Sequence, residues 1–202
     1  MEYLLRGILI GLLFGLPVGA IGALTVQRTW SFGVKAGLLT GLGSSVADCF
    51  YACVGAFGLA LISDFLLRWQ GLITALGGAL ILAIGLKSLL RPQGELSPDE
   101  NSLGGVKLFL TSFAIGITNP AAILTFLFAF TYFGISEVNH WIDGALLVAG
   151  VFLGTYFWWG ILSALTRFIK KRAAEFQLRT MNQIFGGILC IFGIIVFVRM
   201  FL

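Results

Sequence analysis

Residues Gly116 to Ile123 read GITNPAAI, and they lie inside an apolar run from Leu108 to Phe133. A proline inside a helix removes one backbone hydrogen bond and clashes with the turn before it. In hydrocarbon the carbonyls freed in this way must find partners, so such a break persists only where protein or a water-filled cavity lines it. The chain has four prolines, and Pro17 interrupts the first apolar run in the same manner, in FGLPVGAI at Phe14 to Ile21. Pro92 and Pro98 fall in an ordinary polar loop. The two buried prolines therefore predict two broken helices around a site.

Composition sets the solvent. Of 202 residues 58% are hydrophobic and 11% charged, and the mean hydropathy is +1.00. A soluble domain is near half apolar and a quarter charged, which excludes that class. The apolar residues come in runs long enough to cross a bilayer, about 20 residues each, rather than in stripes. The net charge of +4 does not signal nucleic acid, because the basic residues sit at span ends and in connectors. The first run is too long for a secretory signal, begins with Glu2, and is read as the first span.

Six spans are predicted, at 4–27, 36–62, 69–90, 108–133, 144–166 and 181–201. The polar segment RPQGELSPDENSLGGVK at 91–107 divides them into a first three-helix unit (1–90) and a second (108–202). Ten of the thirteen Lys and Arg residues, Arg28 and Lys35 among them, fall in the connectors after spans one, three and five. The positive-inside rule then puts those connectors in the cytoplasm and both termini outside. The basic KKR at 170–172 reads as a topology anchor, with lipid-specific binding as the alternative.

The halves echo each other. Pro17 and Pro120 hold equivalent places in spans one and four. The second spans both depart from plain aliphatic sequence, at SSVADCFY (44–51) and GTYFWW (154–159), and the third spans share LGGALILAIG-like patterning. Three spans per half make the second half insert upside down. The expected fold is an all-α integral membrane protein of six transmembrane helices arranged as two inverted repeats, with a site at their interface.

Asp48 is the only acid near the centre of any span. A carboxylate there costs about 2.5–3.5 kcal/mol on insertion scales, so it should face the bundle interior or a wet cavity. Its helix face gathers Gly41, Ser44, Ser45, Tyr51, Ala52 and Gly55, which are small or polar. Such a carboxylate suits cation binding or titration; a structural aspartate bonded to a neighbouring helix is the alternative. Asn119 can cap the half-helix that starts at Pro120, whose free amides and positive dipole end suit an anionic group.

Thr111, Thr118 and Thr125 recur at sevens on one stripe, as path-lining hydroxyls or as groups bonded to their own backbone. Thr155, Tyr156, Trp158 and Trp159 fall near Asp48's depth, either covering a substrate stem or ammonium group or filling space. Gly7, Gly11, Gly15 and Gly19, with Gly150 and Gly154, allow close helix approach, inside one chain or in a homodimer. Cys49, Cys53 and Cys190 lie within spans, which excludes an extracellular disulfide framework. Cys49 and Cys53 share a stripe, but His140 is the only histidine and lies in a connector, so metal ligation lacks a donor set. No phosphate loop or hydrolase motif appears.

In their order and spacing these features resemble the LysE-type translocators, bacterial exporters of lysine, arginine, homoserine/threonine and leucine. The resemblance covers nearly the whole chain. It is carried by Pro17 and Gly19, by the Gly-rich second span with Asp48, by the Asn119–Pro120 pair, and by the closing FGGILCIFGIIVFV. The family typically has Pro-Gly-Pro in span one, where this chain has Pro17, Val18 and Gly19. It also tends to have a lysine after the NP pair, where this chain has Ala121. The resemblance implies amino-acid export across the bacterial cytoplasmic membrane, driven by a proton or ion gradient.

The reading is a secondary exporter of amino acids or similar zwitterions, with no enzymatic activity and no cofactor. Its partners are the small-molecule substrate and the lipid bilayer. The residues expected to meet substrate are Asp48, which also carries the coupling proton, Pro17, Gly19, Ser44, Tyr51, Thr118, Asn119, Pro120, Tyr156 and Trp158. A divalent-cation exporter seeded by Asp48, Cys49 and Cys53, a membrane thiol-disulfide conduit and a non-transporting helper subunit are the rivals.

Overall fold

Both apolar runs that carry a buried proline are interrupted helices. The computed structural model describes residues 1–15, 19–57, 68–90, 104–119, 122, 125–126, 129, 140–172 and 178–201, the side chains of 14, 70, 178–182 and 199–201 excepted. Span one is two helices, α1 (Glu2–Phe14) and α2 (Ala20–Phe32). Span two is α3 (Val34–Ala56), and span three is α4 (Gln70–Leu89). Span four begins as α5 (Gly105–Ile117) and stops at Thr118, while Ala122, Thr125, Phe126 and Ala129 beyond it are helical again. Spans five and six are α6 (Trp141–Arg172) and α7 (Leu178–Phe201). Among the described residues every regular element is an α-helix. Pro17, Val18, Pro120, Ala121 and the 91–103 part of the linker lie outside the described residues.

The break changes where span one ends. Read as one helix, residues 4–27 suffice to cross, which would leave Arg28 in a connector. Each half-helix has 13 residues, about 20 Å, and is too short to cross alone. The second half therefore runs on to Phe32 and takes Arg28 with it. The connector to α3 shrinks to Gly33, whose φ of 90° suits only glycine. Among the described residues three helices are long and apolar enough to cross unaided: α3, residues 71–89 of α4, and α6, with mean hydropathies of 1.3, 2.0 and 1.8.

The packing is that of a lipid-dissolved protein. Leu5, Leu9, Leu76, Leu110, Phe157, Leu165 and Ile191 are exposed on the outside. The interior is rich in small hydroxyl residues, with Thr25, Thr40, Ser45, Ser112, Thr155 and Ser163 fully buried. Helices dissolved in hydrocarbon gain by close approach rather than by hiding leucine, and small residues permit it.

The seams show this directly. A methyl group at Gly11 would lie 2.5 Å from the Val151 carbonyl and 3.0 Å from Gly154 Cα, so α1 and α6 touch backbone to backbone. The glycine spacing that fitted either internal packing or a dimer seam is thus used inside the chain. Likewise Gly116 lets α5 rest on Ala47 of α3, and Gly85 lets α4 rest on Cys190 of α7. The extensive seams pair span one with five, two with four, and three with six, and α3 also packs on α6.

Candidate functional site

The site is built where helices end. The carbonyls of a helix's last turn have no amide within the helix to accept from. In span four the Thr118 amide turns back to Ala114 O (3.2 Å) and the Asn119 amide to Gly116 O (3.1 Å). The Ile117 carbonyl accepts from the Tyr51 hydroxyl of α3 at 2.5 Å. In span one, Leu12 in the last turn of α1 accepts from the indole N–H of Trp158 on α6. The last turn of α5 thus has a carbonyl capped by an aromatic donor on α3, and that of α1 one capped by an aromatic donor on α6.

Beyond the breaks, helices start again. Gly19 precedes α2 with φ 114°, a conformation that favours glycine. The first bond into α2 is Ala23 N–H to Gly19 O, so the amides of Ala20, Ile21 and Gly22 have no helical acceptor. After the second break, Ala122 N–H donates to Asn119 O (3.1 Å), as expected when Asn119 opens the next helical segment. No side chain caps α2.

These ends meet α3 near Asp48. A methyl at Gly116 would lie 2.8 Å from Ala47 Cβ, 3.7 Å from Ile21 Cδ1 and 3.8 Å from Ser44 Cα. The start of α2, the end of α5 and the middle of α3 therefore converge within one side chain's reach. On α3 the residues three and four positions either side of Asp48 (Ser44, Ser45, Tyr51 and Ala52) are at most 3% exposed. Asp48, between them on the same face, keeps partial exposure. That face of α3 is turned into the bundle, while Phe50, on the other side of α3, is exposed outside. The Asp48 carboxylate forms no hydrogen bond or ion pair with another described residue.

Of the residues expected at the site, Asp48, Ser44, Tyr51, Gly19, Thr118 and Asn119 belong to this junction or its two breaks. Thr118 is committed to its own helix, donating to Ala114 O at 2.7 Å. Tyr51 and Trp158 hold helix ends, and Tyr156 stacks on Phe152 at 5.6 Å. Pro17 and Pro120 themselves lie outside the described residues. Cys49 and Cys53 face away from the junction, with Phe57, Val148, Ala149 and Phe152, along an apolar groove of about 510 Å³.

Arg28 is the residue that sequence reasoning misassigned. It is 9% exposed and donates from Nη1 to Thr40 Oγ1 (3.0 Å) and Leu108 O (2.9 Å) and from Nη2 to Thr111 Oγ1 (2.5 Å). It joins α2 and α3 to α5. Thr40 precedes Asp48 by eight residues, about 12 Å of helix rise, so this charge is not a direct partner of the carboxylate. The signal for it was the break itself, which lengthens span one.

The model of the LysE type translocator family matches residues 12–200 of this chain. The chain is also similar to the uncharacterized membrane protein YahN of Escherichia coli (strain K12), 29% identical over 180 residues, which are 87% of this chain and 80% of YahN. No solved structure matches.

Proposed function

We propose that this chain, which belongs to the LysE type translocator family and is a membrane transporter, exports amino acids or similar small zwitterions across the bacterial cytoplasmic membrane as an ion-coupled secondary transporter. The observation that carries the proposal is the meeting of two helix breaks with the inward face of Asp48. A zwitterion needs a negative group for its ammonium and positive dipoles for its carboxylate. Asp48 supplies the first, and the free amides opening α2 supply the second. Asp48 also takes the coupling proton when substrate leaves. Two charges of opposite kind at one junction favour this over a cation exporter, for which helix N-termini are repulsive.

The six-span inverted repeat is the architecture that best accommodates these contacts. Exchange of the halves turns the one–five seam into the four–two seam and leaves three–six unchanged, which matches the pairings. It also turns the Tyr51 cap on span four into the Trp158 cap on span one. Rocking one unit against the other would alternate access to the junction, and the Arg28 bonds to α5 are contacts that such rocking must remake. The lysines and arginines at the C-terminal end of α6 and near Gly33 mark the cytoplasmic side.

The test is reconstitution of the purified chain in vesicles with a panel of labelled amino acids, with and without a pH gradient. Movement of at least one zwitterion above the protein-free rate, altered by the gradient, is the expected result. The Asp48→Asn chain should insert and fail to transport. A panel on which nothing moves refutes the reading.

A further inference from the structure

Thr25 on α2 and Trp159 on α6 are 0% and 4% exposed, and their side-chain polar atoms, Oγ1 and Nε1, have no hydrogen-bond partner among the described residues. A buried polar atom of this kind costs on the order of 1–3 kcal/mol unless a partner is found, and water is the usual one. Helix register puts the two residues at one level. On α3 and α6, Gly37 meets Ser163, Gly41 meets Trp159, and Ser45 meets Thr155, an antiparallel register with four residues per step. On α2, Thr29 meets the same Gly37, and its hydroxyl is 3.5 Å from that of Ser163. One turn back along both α2 and α6 stand Thr25 and Trp159, the latter against Gly41.

Three polar rungs result. The lowest is Thr29 with Ser163, the middle is Thr25 with Trp159, and the upper is Thr155 with Ser45, whose hydroxyls are 3.0 Å apart. Asp48 follows Ser45 by three residues on the same face of α3. Successive rungs are separated by about 6 Å, four residues of rise. One water donating and accepting at about 2.8 Å spans about that gap. The file begins two turns from exposed Lys170 at the basic end, where that ammonium donates to Trp30 O. Among the described residues, the charged groups nearest it are Lys35 on α3, two residues before Gly37, Arg167 and Lys170 on α6, four and seven residues after Ser163, Arg28 on α2, turned to Thr40 and α5, and Asp48 on α3 at its head.

We propose that Thr25 and Trp159 bind ordered water, and that this water completes a proton path from Asp48 through Ser45, Thr155, Thr25, Ser163 and Thr29 to the basic end of the molecule. Each water or hydroxyl accepts one proton from the neighbour above as it releases one to the neighbour below. No electrons move, and the net change is one proton lost by the Asp48 carboxyl group and one gained by water at the basic end. The Trp159 N–H stays protonated and orients the water by donating to it. The proposal names the coupling route for the site described above and rests on the reading of Asp48 as the carrier of the coupling proton.

Two measurements test it. The first needs no transport: the indole hydrogen-bond marker band of Trp159 in ultraviolet resonance Raman, isolated as wild type minus Trp159→Phe. It should report a bonded N–H in wild type and a free one in Thr25→Val; a free N–H in wild type overturns the water site. The second is proton entry into vesicles that hold a pH dye and a mixture of the standard amino acids. Thr25→Val should lower it about a hundredfold, the low end for a positioned proton-transfer group, and Thr25→Ser should stay near wild type. Equal rates for Thr25→Val and wild type overturn the path, as does a loss that Thr25→Ser shares. A Thr25→Val loss with unchanged Asp48→Asn flux sinks the role of Asp48 instead, which separates the two failures.

Discussion

Tyr51→Phe removes one oxygen and nothing else, which makes it a clean probe of how the broken spans are held. The hydroxyl donates to the Ile117 carbonyl at the end of α5, and the ring is buried against Ile10, Phe126, Leu147 and Val151. Phenylalanine fills the same space, so the change isolates the cap. Bonds between membrane helices contribute about 0.6 kcal/mol on average and up to about 1.7. The upper part of that range is expected here, because the Ile117 carbonyl terminates a helix and has no amide of its own to return to. Trp158→Phe, which uncaps Leu12, should cost a similar amount. The two caps share no partner, so the double variant should show the sum to within about 0.5 kcal/mol. Unfolding in mixed micelles followed by circular dichroism measures all three, with Tyr156→Phe as the control, since that side chain's described contact is a ring stack. If both cap variants lose no more than the control, the breaks are not held by these donors and the reciprocal-cap argument is wrong.

Two further outcomes follow from the seams. Gly154→Leu must push α6 off α1, where even a methyl would lie 2.5 Å from the Ile8 carbonyl and 2.9 Å from Gly11 Cα; a loss above about 3 kcal/mol is expected, beyond ordinary overpacking because backbone is the obstacle, and thermal melting in detergent checks it. Arg28→Met should be milder than Arg28→Glu. Thr40 and Thr111 keep their bonds to Ala36 O and Lys107 O without the guanidinium, whereas a carboxylate would face the Leu108 carbonyl; the same melts rank the two.

The positions of the two breaks were legible because proline in an apolar run has few physical excuses. Asp48 was legible for the same reason, as a charge where charge is expensive. The extent of span one was not, since counting apolar residues stops at Gln27, and only the length lost to the break carries α2 on to Phe32. The aromatic roles were not either. Trp158 and Tyr51 look like substrate-facing rings in one dimension, and only the approach of a helix end from the other half turns their N–H and O–H into caps. The glycine spacing gave close packing but not its partner, because a stripe of small residues serves an internal neighbour and a second copy equally well.

The central claim is that Asp48 opens into a wet interior at the junction of the two breaks. It is tested most directly by Asp48→Cys in a chain whose three native cysteines are serine, treated in vesicles with a small, membrane-impermeant thiol reagent, beside Phe50→Cys as the lipid-facing control. The account predicts that position 48 is labelled and that the transported amino acid slows the labelling, while position 50 stays unreacted. Labelling of position 50 with none at 48 would contradict it.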